Sequence, residues 1–257
     1  MEQVDYLAAL EREAAAMCCL VESADLDDPV PTCPGWTIED LVVHTGVVHR
    51  HKTATVRDGW LDGPPPRPDS PDGNVIEWFG DGIEAMLAVF AGTDLSEPTW
   101  TWCGHSHDCS WWVRRMAHET LIHGADAAIA AGVPPVVDEA LATDGIEEIL
   151  VEMMTGAPEW AALAEGDEMI EIATPARSWT LRTGTWSGES PGTGTTYVDE
   201  PALLLVDATE NPNLRITGSG ADIDLWLWGR GDLPEGAVSG DERLVDLVRS
   251  VAAEATQ

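Results

Sequence analysis

The sequence predicts an α+β fold, with a helical bundle over residues 1–158 followed by a smaller α/β domain over residues 167–257. Three observations predict it. Apolar residues recur at three- and four-residue steps through several long segments of the first half, the period of a helix with one buried face. After Gly156 the pattern changes to alternation, which is the period of a strand. In the segment His118-Glu119-Thr120-Leu121-Ile122-His123, a carboxylate and an imidazole stand four residues apart, so a helix would present both on one face.

Taken in order, residues 4–23 carry Leu7, Leu10, Ala14, Met17 and Val21 among charged neighbours and read as an amphipathic helix. Prolines and acids break residues 25–34 into a loop. Thr37 with Asp40 three residues on forms a capping-box signature that starts a second helix near Ile38. Residues 62–73, rich in Pro, Gly and Asp, read as a surface loop. A third helix is expected over 75–90, with Ile76, Phe79, Ile83, Met86, Leu87 and Phe90 on its buried side, and a fourth over 110–131, stopped by Gly132, Pro134 and Pro135. A further helix is expected over 138–155. Beyond it, 168–174, 178–182 and 213–217 read as strands, 184–196 as turn-rich and 202–208 as an apolar segment. Residues 221–228 and 243–253 read as helices. The boundary is expected between about 155 and 167. Gly218-Ser219-Gly220 and Gly229-Arg230-Gly231 lack the third glycine of a dinucleotide-binding loop.

Bundles commonly build metal sites from inward side chains on different helices. His44 on the second helix is the candidate third ligand beside Glu119 and His123. Three protein ligands leave a coordination position open, the catalytic rather than the structural arrangement for zinc. A lone histidine on an apolar face is usually a satisfied core residue. The pairing with Glu119 and His123 favours ligation, since a buried carboxylate needs a compensating partner. Leu41, His44, Val48 and His51 share a stripe expected to face the core. His49 lies about 140° round the helix from His44 and is the poorer partner. Cys103, His105, His107 and Cys109 are spaced too tightly for an ordinary structural zinc site, so a loop leading into the fourth helix is the plainer reading. Trp100, Trp102, Trp111 and Trp112 are candidates to wall a substrate pocket or to pack the two domains together.

The net charge of −33, from 46 acidic against 13 basic residues, argues against nucleic-acid and anionic-membrane partners. No charged-then-apolar leader opens the chain and no run of eighteen apolar residues occurs, so a cytoplasmic protein is expected. Five cysteines are an odd number without the dense spacing of a disulfide scaffold, and Cys18, Cys19 and Cys33 read as reduced thiols.

Three pieces carry a resemblance: Thr32-Cys33-Pro34-Gly35-Trp36-Thr37 running into His44, the segment from His118 to Ala127, and Leu225-Trp226-Leu227-Trp228-Gly229-Arg230. Together they resemble the mycothiol-dependent maleylpyruvate isomerase family, in which a DinB-like four-helix bundle precedes a small α/β domain. The resemblance implies a divalent metal, usually zinc, on the matching His44, Glu119 and His123. It further implies mycothiol as thiol cosubstrate, Trp36 and Arg230 as cofactor-binding residues, and Arg230 as a catalytic residue reaching the cleft. Many DinB-like proteins use three histidines, so Glu119 points to the thiol-using branch. A thiol at the open position would be deprotonated and would attack a small-molecule electrophile. Expulsion of the thiol gives cis-trans isomerisation, and retention gives S-transfer. Arg230, or secondarily Arg50, would neutralise a substrate carboxylate. The implied partners are the electrophile and the thiol, with the protein a monomer or homodimer. The alternative is a metal-binding or regulatory DinB-like module without turnover.

Overall fold

The computed structural model describes residues 5–103, 107–209 and 211–256. The chain forms two compact units, residues 3–137 and 138–257.

The first unit is built on α1 (Tyr6–Glu22), α2 (Ile38–Arg57), α3 (Val75–Gly92) and α4 (Cys109–Ala130). Helix α1 packs on α3 and α4, and α2 also packs on both, which closes a four-helix bundle. Met17, Val21, Ile38, Leu41, Phe79 and Ile83 lie in its core. Local chemistry sets the helix starts. Asp5 caps α1, Asn74 caps α3 and Asp108 caps α4, while Thr37 and Asp40 make the expected capping box at α2. At the end of α4, Gly132 at φ +70° lets Val133 and Gly132 donate back to the Ala128 and Ile129 carbonyls, and the helix stops there. A two-residue ribbon, β1 (Pro98–Thr99) with β2 (His107–Asp108), leads into α4.

The second unit starts with α5 (Glu139–Glu148), which continues as a π-helical turn over Ile149–Met154. A five-stranded mixed sheet follows, of β3 (Ala162–Ala173), β4 (Ser178–Glu189), β5 (Thr196–Val206), β6 (Leu214–Thr217) and β7 (Val238–Gly240), in the order β5-β4-β3-β6-β7. Only the β3–β6 pair is parallel. Helices α6 (Gly220–Leu227) and α7 (Arg243–Ala255) complete it.

The α+β class and the order of elements agree with the sequence reading. The division falls at residue 137 rather than at 158, because α5 and the π-helical turn after it bury Ile146, Ile149 and Leu150 in one apolar cluster with Ile170, Leu181, Leu203 and Ile216 of the sheet. The turn-rich reading of 184–196 is also displaced: β4 runs to Glu189 and β5 begins at Thr196. There Trp160, Trp186 and Tyr197 cluster with ring centroids 5.0–5.9 Å apart, and Gly188 admits the Trp160 ring. Among the described residues no helix is long and apolar enough to cross a membrane.

Candidate metal centre

Helices α2 and α4 bring the three expected ligands together. His44 Nε2 lies 3.6 Å from Glu119 Oε1, and His123 Nε2 lies 3.4 Å from the same oxygen. One ligand atom from each of the three residues falls within 4.8 Å of the other two. The His44 side chain is 36% exposed, against 15% for Glu119 and 11% for His123, so the cluster opens on the His44 side. Two imidazoles and a carboxylate around one point, with one side open, fit a divalent cation with a free coordination position.

The surrounding groups position two of the three candidate ligands, Glu119 and His123. Arg115 Nη2 donates to Glu119 Oε2 at 2.7 Å, which leaves Oε1 facing the histidines. Burial alone would raise the Glu119 pKa; hydrogen bonds from His123 and His44, and the charges of His123 and Arg115, hold it well below the carboxylate range. Burial would lower that of His123, yet Asp126 and Glu119 raise it to about 9. The bundle has thus placed an imidazole between two carboxylates, an arrangement that favours positive charge. His123 Nδ1 is 2.9 Å from Asp126 Oδ2, so Nε2 is the nitrogen directed at Glu119.

Asp126 is fully buried and held in turn by loop 29–37. The Thr32 hydroxyl donates to Asp126 Oδ1 at 2.5 Å, and the Cys33 thiol to Oδ2 at 3.5 Å. Val30 N–H bonds to the Trp36 carbonyl, and Gly35 adopts φ +87°, a turn that glycine allows without strain. The turn sets the Trp36 ring 4.8 Å from the His44 ring and 6.3 Å from the His123 ring. Cys33, His123 and Asp126 are also close enough to hold an ion. Their buried carboxylate is already engaged by three donors, so they read as the support of the first cluster.

The expectations for the stripe on α2 and for Arg50 are corrected. The stripe of His44, Val48 and His51 lines a surface cavity, and the core face of α2 instead carries Ile38, Leu41, Val42, Thr45 and His49. His49 is fully buried, its Nε2 donating to Thr120 Oγ1 at 2.9 Å, because that hydroxyl already donates to the Met116 carbonyl. Arg50 does not reach the cavity; its guanidinium lies 3.8 Å from the Trp78 ring centroid and bonds to the Trp78 carbonyl. Arg230 follows α6 in the second unit, with Nη1 donating to the Trp228 carbonyl at 2.6 Å. All five cysteines are free thiols. His105 lies outside the described residues.

Asp126 and Arg115 were not singled out by the sequence reading, although a signal exists for each. They stand three residues after His123 and four before Glu119, the spacings at which helical side chains meet.

Residues 7–128 match the mycothiol maleylpyruvate isomerase N-terminal domain, and residues 140–247 match the C-terminal domain of the same proteins. Among solved structures, the chain is similar to a mycothiol-dependent maleylpyruvate isomerase at 15% identity, with a TM-score of 0.57 over 91% of each chain. A histidine-to-alanine mutant of a mycothiol-dependent maleylpyruvate isomerase matches at 14% identity, again with a TM-score of 0.57 over 91% of each chain. No curated protein matches the chain.

Proposed function

The chain belongs to the mycothiol maleylpyruvate isomerase family, and from that premise we propose an enzyme that uses a metal-activated low-molecular-weight thiol, mycothiol, against an electrophilic small molecule. The outcome is cis-trans isomerisation of a maleylpyruvate-type substrate, or S-transfer where the thiol is retained. The observation that carries this reading is the convergence of His44 Nε2 and His123 Nε2 on one oxygen of Glu119.

His44, Glu119 and His123 would hold the cation, zinc in the first instance. When bound, it would supply the positive charge that lowers the pKa of an adjacent thiol, so that the thiolate is available at neutral pH. The chain's own residues do the rest. Asp126 holds His123 at Nδ1 and so presents Nε2, and Arg115 holds Glu119 by the oxygen that faces away from the histidines. The Trp36 ring stands beside both histidine rings, nearer to His44. Arg230 is assigned to binding the thiol or a substrate carboxylate, for which a guanidinium offers two parallel donors. We place the protein in the cytoplasm as a monomer or homodimer without nucleic-acid or membrane partners, in keeping with its net charge of −33.

The test is the metal content of the purified protein beside that of Glu119→Ala and His123→Ala, each then titrated with mycothiol. About one metal per chain, lost in both variants, with mycothiol binding only to the loaded protein, is expected. Metal retained in both variants would overturn the assignment.

A further inference from the structure

A cavity of about 270 Å3 opens beside the metal centre, lined by His44, Val47, Val48, His51, Lys52 and Arg67. The first five follow i, i+3, i+4, i+7 and i+8 along α2, so one helical face forms its floor. Arg67 reaches it from the loop that follows α2. His51 Nε2 donates to the Pro65 carbonyl at 3.0 Å, tying that loop to the helix, and Pro64, Pro65, Pro66 and Pro68 restrict the backbone around Arg67.

Lys52 is the only lysine in the chain. Its ammonium sits 4.3 Å from the Trp112 ring centroid and 5.5 Å from that of Trp100. Trp112 is fully buried, and its indole N–H donates to the Trp100 carbonyl at 2.8 Å, so this aromatic bed is fixed. The chain has 46 acidic residues, yet neither Lys52 nor Arg67 has a carboxylate within ion-pair distance among the described residues. Burial lowers the Lys52 pKa to about 8, with Glu119 opposing and Arg115 adding, so the ammonium remains mostly charged at neutral pH. Both Lys52 and Arg67 act as positive charges on His51. A half-buried cation left without a carboxylate partner, on a rigid aromatic bed beside a second cation, is an incomplete anion site. The strongly acidic chain repels anions at long range, so one is held only where local cations outweigh that field.

We propose that Lys52 and Arg67 form a carboxylate-binding subsite that holds an anionic group of the electrophile next to His44. The position relative to the reacting carbon rests on the thiol-enzyme reading above, whereas the anion binding itself requires neither metal nor thiol. The subsite lies wholly within the bundle and is separate in sequence from Arg230.

The experiment is a calorimetric titration of the metal-free, full-length protein with maleate at low ionic strength. It compares the wild type with Lys52→Met, Arg67→Met and Lys52→Arg, and uses the neutral diamide of maleate as control ligand. Maleate binding should weaken at least tenfold in each methionine variant and largely recover in Lys52→Arg, with the diamide not binding. Arg67→Met, on an exposed loop, keeps the test usable if Lys52→Met fails to fold. In the metal-loaded protein, the same substitutions should raise KM for a carboxylate electrophile and leave KM for mycothiol unchanged. Maleate affinity unchanged in both methionine variants, absent in the wild type, or matched by the diamide would overturn the subsite. A raised KM for mycothiol alone would overturn its assignment to the electrophile. Loss of metal- and thiol-dependent turnover with the maleate result intact would strike the thiol-enzyme reading and not the subsite.

Discussion

Asp126 Oδ2 accepts the Nδ1–H of His123 at 2.9 Å from a position without solvent exposure, and this contact fixes which nitrogen of the ring faces Glu119. Supporting carboxylates of this kind typically contribute about ten- to a hundredfold to metal affinity. Asp126→Asn should therefore bind zinc about tenfold more weakly, measured by competition with a chelator. Unchanged affinity would mean that α4 alone orients the ring.

Zinc binding at neutral pH should release a proton. The His123 pKa is raised to about 9, so without metal the ring is protonated at pH 7.5, and coordination through Nε2 requires it neutral. Calorimetry in buffers of different ionisation enthalpy should count about one proton per zinc at pH 7.5, falling toward none above pH 9. A count near zero at pH 7.5 would contradict the carboxylate–imidazole–carboxylate arrangement.

Acid should destabilise the bundle through His49. Burial lowers its pKa from 6.5 to about 4, with Glu119 opposing, so the unfolded chain binds the proton more readily. The associated stability is intact above pH 6.5 and is lost as pH falls toward 4, on the order of 3 kcal/mol at about 1.4 kcal/mol per pKa unit. His49→Gln, which keeps a donor for Thr120, should show a flatter melting temperature between pH 7 and pH 5 than the wild type. Parallel curves would assign the acid sensitivity to other groups.

Helices α2 and α3 meet through a glycine. A Cβ on Gly46 would stand 2.2 Å from the Trp78 ring, which is itself held under the Arg50 guanidinium. Gly46→Ala should cost about 1–3 kcal/mol by overpacking, read as a lower midpoint in denaturant. A wild-type midpoint would show that Trp78 moves aside freely.

The helices were legible because each carries its own apolar period and its own cap, as Thr37 and Asp40 illustrate at α2. The pair Glu119 and His123 was legible for the same reason: four residues is one turn, so the backbone period alone places both on one face. The strand limits around 184–196 were not, because turn residues there are tolerated by the packing of Trp160, Trp186 and Tyr197, which only the sheet register brings together.

By itself, then, the sequence determined the helices and the α+β class and nominated all three candidate ligands, and the spacing of Glu119 and His123 follows from the helical period alone. The tertiary structure decided which face of α2 meets α4, and hence that His44 opens on a cavity while His49 enters the core. It also decided that Thr32 and Cys33 close on Asp126 across more than ninety residues of chain, and that Lys52 rests on Trp112 without a carboxylate partner among the described residues. Such pairings depend on how helices pack, and no local period encodes them.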